Sequence, residues 1–265
     1  MAIVIDPVSP VAFSVFGLPV RWYALAYIAG FVVGYFLLRS FLRKSENGLN
    51  LSKKDLDDLF TYIILGVIVG GRLGYVLFYN LGFFVSHPLE IFAVWHGGMS
   101  FHGGLIGVIV ATFLFAKNWS RGFKILDLLA VVAPLGLFFG RIANFINMEI
   151  MGRPTNSKLG VFFNGVSDVP RHPSPLYEAA TEGLLLFVIM YCLYRFSGMK
   201  KHPGALGGAM LMLYAFFRIF CEMFRAPDAH IGFLTAWGLT LGQLLSGIMF
   251  VCGLCVFALA TRHRR

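Results

Sequence analysis

Four polar residues stand at helical spacing in an otherwise apolar stretch, and their types suit the binding of an anion. They are Tyr214, Arg218, Glu222 and Arg225. Separations of four, four and three residues place all of them within about 80° of one face of an α-helix. Arg218 and Glu222 can form an i,i+4 ion pair, which lowers the cost of burying either charge. The pair alone would suffice to close a helix bundle, but the added tyrosine and second arginine favour the polar wall of a substrate cavity.

A second polar group lies between Gly140 and Gly152. It consists of Arg141, Asn144, Asn147 and Glu149. Such a segment must face protein or water, because lipid offers no partners for its polar atoms. Arginine presents a planar fork of N–H donors that suits phosphate, and asparagine and glutamate can hold that fork in place. The group therefore indicates a phosphate site.

His102 lies in the glycine-rich stretch Gly97–Gly104, which suits close packing of helices. A single histidine in such a stretch is more often hydrogen-bonded structure than a ligand. Metal binding together with His96 is not expected, because a six-residue gap suits no pair of ligands on a helix. We expect neither a metal nor an organic cofactor.

Several other polar residues have ordinary structural explanations. Glu178 and Glu182 fall in the first turns of a predicted helix, where the helix dipole favours acids. Tyr23, beside Trp22, suits the aromatic belt at a membrane interface. Arg72 is a further cation expected at membrane depth, where ionisable groups are rare and suggest function.

The four cysteines all lie in apolar stretches. They are Cys192, Cys221, Cys252 and Cys255. The last two form a C-x-x-C motif, but no other metal ligand lies nearby in the sequence. Small apolar core residues are the favoured interpretation, with a redox or metal role as the alternative.

Composition fixes the class of protein that must position these residues. Of the 265 residues, 58% are hydrophobic and only 13% are charged, whereas soluble domains carry about 25% charged residues. This composition excludes an ordinary cytosolic domain, a disordered chain and a disulfide scaffold. Apolar runs approach or exceed the ~20 residues that span a bilayer, and they predict a polytopic helical membrane protein.

We predict an all-α fold with about seven transmembrane helices in a single integral membrane domain, residues 1–265. The predicted spans are 22–42, 57–80, 97–116, 125–147, 178–196, 205–224 and 236–260. Fourteen Lys and Arg residues flank these spans on one side and five on the other. The positive-inside rule then puts the N-terminus in the periplasm and the C-terminus in the cytoplasm.

Two segments outside the predicted spans face the periplasm in this topology. Residues 148–177 are rich in Gly, Pro, Asn and Ser but also carry aliphatic and aromatic residues, so a periplasmic loop or small head segment is expected. Residues 81–96 suit a short interfacial helix. The net charge of +9 does not indicate a nucleic-acid partner, because the basic residues sit between apolar segments, where lipid headgroups and topology use them.

At this point the sequence resembles a known family. The run Gly140–Gly152 matches the pattern G-R-x-[GA]-N-F-x-N-x-E-x-x-G of the prolipoprotein diacylglyceryl transferases. Further stretches resemble the family in the same order: RWYALAY (21–27), GGRLGYVLFYN (70–80), GGMSFHGGLIG (97–107), RHPSPLYE (171–178) and FRIFCEMFRAPDA (217–229). Departures are mild: Phe139 stands where a small residue is common, and Ala143 replaces the commoner glycine. The resemblance covers nearly the whole chain.

The resemblance implies a bacterial inner-membrane enzyme that moves the diacylglyceryl group of phosphatidylglycerol to the lipobox cysteine of a prolipoprotein, forming a thioether and releasing glycerol phosphate. We expect Arg141 and Arg218 to hold the phosphate and His102 to act as the base or as a headgroup contact. The other expected contacts with substrate are Tyr23, Asn144, Glu149, Gly152, Tyr214, Glu222 and Arg225. Glu149 and Glu222 are expected to orient the arginines, with Arg225 as an outer or entry cation.

A transporter or channel for an anionic solute is the alternative, since it would also place arginines in the membrane. Two features weigh against it. The two halves of the chain show no paired symmetry, and the polar groups cluster at one end of the predicted spans.

Overall fold

The computed structural model describes residues 3–43, 49–94, 97–227, 232–235 and 237–262. Contacts between residues divide the chain into two compact units. The first comprises Met1–Leu38 with Asp127–Arg265, and the second comprises Arg39–Leu126.

The first unit is mainly helical. It holds most of α1 (Trp22–Arg43) and of α5 (Trp119–Ile146), together with α6 (Ser174–Glu178), α7 (Leu186–Phe196), α8 (Ala205–Glu222) and α9 (Leu241–Arg262). A π-helix at Ala179–Leu185 joins α6 to α7, so the helical segment runs continuously from Ser174 to Phe196. This segment and α8 carry most of the acidic residues of the candidate site.

Two small sheets in the first unit were not predicted from the sequence. Strand β1 (Ile3–Ile5) pairs in parallel with β4 (Val161–Phe163). Strands β2 (Val11–Val15) and β3 (Leu18–Arg21) form an antiparallel hairpin. Strands of three to five residues are too short to show a clear period-two pattern, and the β1–β4 pairing joins segments more than 150 residues apart. Residues 148–177 are thereby tied to the start of the chain.

The second unit is built around two closely packed helices, α2 (Lys53–Phe78) and α4 (Phe101–Ala116). Between them lie the short helix α3 (Leu81–Ser86) and a 3₁₀-helix at Pro88–Phe92, in the region where a short helix was expected.

Glycines allow the backbones of α2 and α4 to approach each other. A Cβ atom on Gly70 would lie 2.8 Å from the Cα atom of Gly107, and one on Gly74 would lie 2.7 Å from the Cα atom of Gly103. Within each helix the two glycines are four residues apart, which is the spacing of small residues at interfaces between membrane helices. Any side chain at these positions would push the two helices apart.

Six helical segments in the described part of the chain are long and apolar enough to cross a membrane. This confirms the all-α polytopic prediction. Helix α4 is apolar but has 16 residues, about 24 Å at 1.5 Å per residue, which is shorter than the ~30 Å hydrocarbon core. The count of seven spans stays a prediction.

Capping residues explain why several helices begin elsewhere than predicted. The side chain of Ser52 accepts a hydrogen bond from the backbone N–H of Asp55, whose carboxylate caps Ser52 in return, so α2 starts four residues earlier than expected. Helix α4 starts later, at Phe101, because Gly97 and Gly98 have left-handed φ angles of +83° and +75°. Helix α9 starts at Leu241, after Thr240.

Candidate active site

Two arginines and three glutamates from three helical segments form one buried cluster in the first unit. Arg141 comes from α5, Glu178 from α6, Glu182 from the π-helix, and Arg218 and Glu222 from α8. We call these five residues the Arg–Glu cluster. Glu178 and Glu182 have no exposed side-chain surface, whereas Arg141 and Arg218 keep 17% and 11% of theirs. The arginines are therefore the part of the cluster that a ligand can reach.

The ion pairs of the cluster connect each arginine to more than one acid. Nε of Arg141 lies 2.9 Å from Glu178 and its Nη2 lies 3.2 Å from Glu182. Nη1 of Arg218 lies 3.4 Å from Glu178 and 3.7 Å from Glu182. Both arginines thus contact the same two acids, and the contact between Nη2 of Arg141 and Glu182 is also a hydrogen bond.

The predicted pairing of Arg218 with Glu222 is confirmed. Nη2 of Arg218 lies 2.7 Å from Glu222 across one turn of α8. Glu222 is also fixed from the far side, because the hydroxyl of Thr240 donates to it at 3.0 Å. Gly242 leaves room for this carboxylate, since a Cβ atom there would lie 2.7 Å from Glu222 Oε1.

The capping role considered for Glu178 and Glu182 is not seen in the structure. Neither side chain forms a hydrogen bond that caps a helix terminus, and both are acids of the Arg–Glu cluster. The signal that could have found them is in the sequence: two acids four residues apart in a span are expensive in a membrane and require cationic partners. Their helix also departs from ideal geometry, since the π-helix starts immediately after Glu178, and π segments are frequent at functional sites.

Tyr214 is buried in α8, one turn before Arg218. Tyr214 and Arg218 therefore lie one turn apart on α8, as the helical spacing indicated.

A chain of hydrogen bonds runs beside the cluster from α1 to the end of α5. Asn144 donates through Nδ2 to the hydroxyl of Tyr23 and, at 3.1 Å, to the carboxylate of Glu149. Asn147 donates to the other oxygen of Glu149 at 3.3 Å. Tyr23 is thus a partner of Asn144 rather than a simple member of an aromatic belt.

The expectation that Glu149 orients an arginine was wrong. The hydrogen bonds that the structure gives its carboxylate come from Asn144 and Asn147. The reason is that α5 ends at Ile146, so Glu149 lies in the loop beyond the helix and turns back to Asn144. The acids that hold Arg141 come from the segment Ser174–Phe196 instead.

The loop after α5 has a strained backbone. Met148 and Ile150 have φ angles of +53° and +57°, a region that a β-branched residue such as isoleucine rarely adopts. The hydroxyl of the buried Ser174 donates to the carbonyl of Ile150 at 2.9 Å. Glu149 lies between the two strained residues, and such strain persists where surrounding contacts enforce it, often at functional sites.

Gly152 is a packing junction rather than an open contact for substrate. It is buried, and its N–H donates to the carbonyl of His172 at 3.0 Å. A Cβ atom at Gly152 would lie 2.7 Å from the carbonyl oxygen of Phe224. Three chain segments meet at this point, and only glycine leaves room for them.

His172, beside this junction, stands against Tyr177 with 3.2 Å between Nδ1 and the hydroxyl. Partial burial lowers the pKa of His172 below the usual imidazole value, which favours the neutral form of the ring.

Arg225 does not lie on the helix face that the spacing predicted. Helix α8 ends at Glu222, and Arg225 forms a β-bridge with Gly152. Nε of Arg153 donates to the carbonyl of Arg225 at 2.9 Å, and its Nη2 donates to that of Glu222 at 3.3 Å. Arg153 therefore caps the C-terminal end of α8, and Arg225 lies beyond that end.

His102 belongs to the second unit, where it is the second residue of α4 and is exposed. Its ring meets that of Phe101 edge to face, with 5.6 Å between centroids. His96, with which a metal site was considered and not expected, lies outside the described residues.

The arrangement of the first unit suits an anion that arrives at the exposed sides of the two arginines. Acids hold Arg141 through Nε and Nη2, which leaves its Nη1 outside these pairs. Guanidinium groups that are already oriented lose little entropy when they bind phosphate. The cluster can therefore stabilise negative charge that develops on a phosphate leaving group.

Comparisons with known proteins show the family of the chain. The family model for prolipoprotein diacylglyceryl transferase matches residues 10–259. A phosphatidylglycerol–prolipoprotein diacylglyceryl transferase of Rhodospirillum rubrum is 49% identical over 259 residues, which cover 97% of this chain and 94% of the relative. One from Azospirillum brasilense is 49% identical over 268 residues, with 99% and 98% covered. One from Methylocella silvestris is 48% identical, with 97% and 95% covered. The chain belongs to the prolipoprotein diacylglyceryl transferase family.

Proposed function

We propose that this chain transfers the diacylglyceryl group of phosphatidylglycerol to the cysteine thiol in the lipobox of a bacterial prolipoprotein. The sulfur forms a thioether bond to the glyceryl carbon that carries the phosphate. The carbon–oxygen bond breaks, and glycerol phosphate leaves with the electron pair. The thiol proton passes to a base. Relatives with the corresponding name, similar over nearly their whole length, support this reaction.

The observation that carries the proposal is the Arg–Glu cluster. Displacement of a phosphate requires cations near its oxygens, because charge accumulates there in the transition state. Arg141 and Arg218 are the proposed phosphate ligands, and the proposed role of the acids that contact them is to keep the two guanidinium groups oriented. Tyr214 is proposed to complete the phosphate side of the site.

The chain of hydrogen bonds through Asn144 is the proposed headgroup side of the site. Tyr23 and Asn144 carry groups that can exchange a hydrogen bond with the glycerol hydroxyls of the lipid, and Glu149 keeps the amide of Asn144 oriented. Gly152 and Arg225 are proposed to contribute to this side of the site indirectly. Their β-bridge holds the end of the loop that carries Glu149.

We further propose that His102 accepts the thiol proton. An imidazole is a common general base, and His102 is exposed at the start of α4. The pH–rate profile of His102→Gln on a lipobox peptide tests the role. Activity should fall strongly near pH 7 and recover in part as the pH rises towards the thiol pKa of about 8.5. An unchanged profile with weaker binding of phosphatidylglycerol would make His102 a headgroup contact instead.

The reaction is tested with purified protein in detergent, phosphatidylglycerol and a lipobox peptide. The expected product is a peptide with a diacylglyceryl thioether on its cysteine, detected by its mass. A peptide in which serine replaces that cysteine is the matched control. A transporter of anions would need a sealed vesicle to act, so formation of the thioether in detergent excludes transport as the main activity. Absence of product from folded protein would contradict the proposal.

The protein is a multi-pass protein of the bacterial inner membrane. For its orientation we propose a periplasmic N-terminus and a cytoplasmic C-terminus, from the asymmetry of Lys and Arg. Residues 148–177 and the loop with Glu149 then face the periplasm, the side on which a secreted prolipoprotein presents its lipobox.

A further inference from the structure

Among the described residues, Arg72 in α2 is the buried arginine that the proposed reaction does not use. Its exposed fraction is 5%, and all of its donor atoms are bound to backbone carbonyls. Nε donates to Ile91 at 2.9 Å, Nη1 donates to Gly97 at 2.5 Å and Gly98 at 3.1 Å, and Nη2 donates to Glu90 at 2.6 Å and Ala93 at 3.2 Å.

These five hydrogen bonds use the full capacity of the side chain. A guanidinium has five N–H donors in a fixed plane, and five carbonyl oxygens accept them. The ring of Phe84 lies 5.1 Å from the central carbon and adds a cation–π contact. The sequence predicts Arg72 as a cation at membrane depth. In the structure, however, the side chain of Arg72 has no N–H donor left for a phosphate.

We propose that Arg72 is a positioning residue that fixes the chain entering α4 and, through it, His102. The inference rests on the proposed function only in so far as His102 takes part in the reaction. The carbonyls that accept these bonds belong to the 3₁₀-helix, to Ala93 beyond it, and to Gly97 and Gly98 before α4, so a single side chain binds the described residues on both sides of the connection.

The turn before α4 is shaped to present its carbonyls to Arg72. Gly97 and Gly98 have φ angles of +83° and +75°, which most other residues adopt only under strain. A Cβ atom on Gly98 would lie 3.0 Å from Nη1 of Arg72 and would also press against the ring of Tyr75. Both the backbone angle and the space therefore require glycine at residue 98.

Ser100 connects the turn at Gly97 and Gly98 to the start of α4, where His102 lies. The N–H of Ser100 donates to the carbonyl of Gly71 at 2.8 Å, the residue adjacent to Arg72 in α2. The hydroxyl of Ser100 accepts from the N–H of Gly103 at 3.2 Å and caps α4. His102 lies in the capped turn, so its place relative to α2 depends on both Arg72 and the glycine packing of α4.

Lysine at residue 72 would keep the charge but not the contacts. An ammonium has three donors around a single atom and cannot reach carbonyls distributed around a plane. In Arg72→Lys we expect the turn to loosen and His102 to lose its fixed place. Because small misplacements of a reacting group cost up to about 100-fold in rate, we expect kcat to fall by roughly tenfold or more.

The test is a double-mutant cycle between Arg72→Lys and His102→Gln, with transfer to a lipobox peptide measured in detergent. If Arg72 acts through His102, the double variant should be no slower than His102→Gln alone, and the KM for phosphatidylglycerol should stay within about twofold for Arg72→Lys. Losses that multiply in the double variant, or a raised KM with unchanged kcat, would overturn the proposal.

Amide hydrogen exchange supplies a readout that does not depend on transfer activity. Exchange in the peptide from Glu90 to Gly104 should be faster in Arg72→Lys than in wild type and unchanged in Arg39→Lys, an equal substitution at a side chain that makes none of these bonds. Unchanged exchange in Arg72→Lys would contradict the proposal. If wild-type protein forms no thioether, the proposed function fails, while the exchange result still decides whether Arg72 holds the chain.

If Arg72→Lys does not fold, Gly98→Ala can replace it in the same test. Gly98→Ala retains the arginine but places a methyl group against it in a strained turn. It should show the same lowered kcat and the same lack of additivity with His102→Gln. Wild-type turnover in folded Gly98→Ala would count against the proposal.

Discussion

The carboxylate of Glu178 lies 2.9 Å from Nε of Arg141, although the two residues belong to different helices and Glu178 has no exposed side-chain surface. The same carboxylate lies 3.4 Å from Arg218. One buried acid therefore contacts both arginines that are proposed to bind the phosphate of the lipid. Most of the chemistry proposed for the first unit depends on this arrangement.

Because acids outnumber arginines in the Arg–Glu cluster, removing an arginine should cost more stability than removing an acid. Among the described residues the cluster contains three carboxylates and two guanidinium groups. Arg141→Met would leave one cation for three buried acids and should cost about 3–5 kcal/mol of stability. Glu178→Gln leaves two cations with two acids and should cost about 1–3 kcal/mol.

Melting temperatures in detergent check this order. Asp168→Asn, which removes an exposed acid, is the control and should leave the melting temperature unchanged. A larger loss of stability for Glu178→Gln than for Arg141→Met would show that the acids, not the arginines, limit the stability of the cluster.

The strained loop predicts an unusual preference for glycine at residue 150. Because Ile150 has a φ angle of +57°, Ile150→Gly should be more stable than Ile150→Ala by about 1 kcal/mol. Ile142 lies inside helix α5 and supplies the matched pair, in which the alanine variant should be the more stable by a similar amount. The same order at both positions would mean that the backbone of the loop is not strained in the membrane protein.

The orientation of the chain can be measured with reporters. A reporter that is active only in the periplasm should give no signal when it is fused after Arg265, and a signal when it is inserted near Asn156. The reason is the excess of Lys and Arg on the side assigned to the cytoplasm. Since α4 has only 16 residues, a strong periplasmic signal after Arg265 would mean that one predicted span does not cross the membrane.

The cysteines of the protein should be dispensable for transfer, because the attacking thiol belongs to the prolipoprotein. Cys192, Cys252 and Cys255 are exposed on the helices, and Cys221 is buried with its sulfur 3.1 Å from the hydroxyl of Thr181. A variant with alanine at all four should keep substantial activity, with some loss of stability from Cys221. Complete loss of transfer in a folded variant would indicate a covalent enzyme thiol.

The sequence predicted the class of fold and the pairing of Arg218 with Glu222 because both signals are local. Apolar runs identify helices that suit a membrane, and the i,i+4 spacing of Arg218 and Glu222 predicts their pairing. The boundaries of α2 and α4 were less accurate, since they depend on capping by Ser52 and on the left-handed glycines before Ser100.

The partners of Arg141 could not be read from the sequence in the same way. Glu178 and Glu182 lie about 40 residues further along the chain and meet Arg141 only through tertiary packing. A π-helix and strained φ angles also leave no pattern in a single sequence. The ends of α5 and α8 were likewise not evident from the sequence. Glu149 was therefore assigned to an arginine instead of Asn144, and Arg225 was placed on a helix that ends before it.

The most direct test of the account is the rate of thioether formation by purified Arg141→Lys and Arg218→Lys with saturating phosphatidylglycerol. An ammonium keeps the charge but cannot reproduce the planar fork that the acids orient, so each variant should be slower by roughly 100-fold or more, with a melting temperature close to that of wild type. Arg39→Lys, the matched control outside the cluster, should turn over normally. Near wild-type turnover in both cluster variants would contradict the claim that these two arginines stabilise the leaving phosphate.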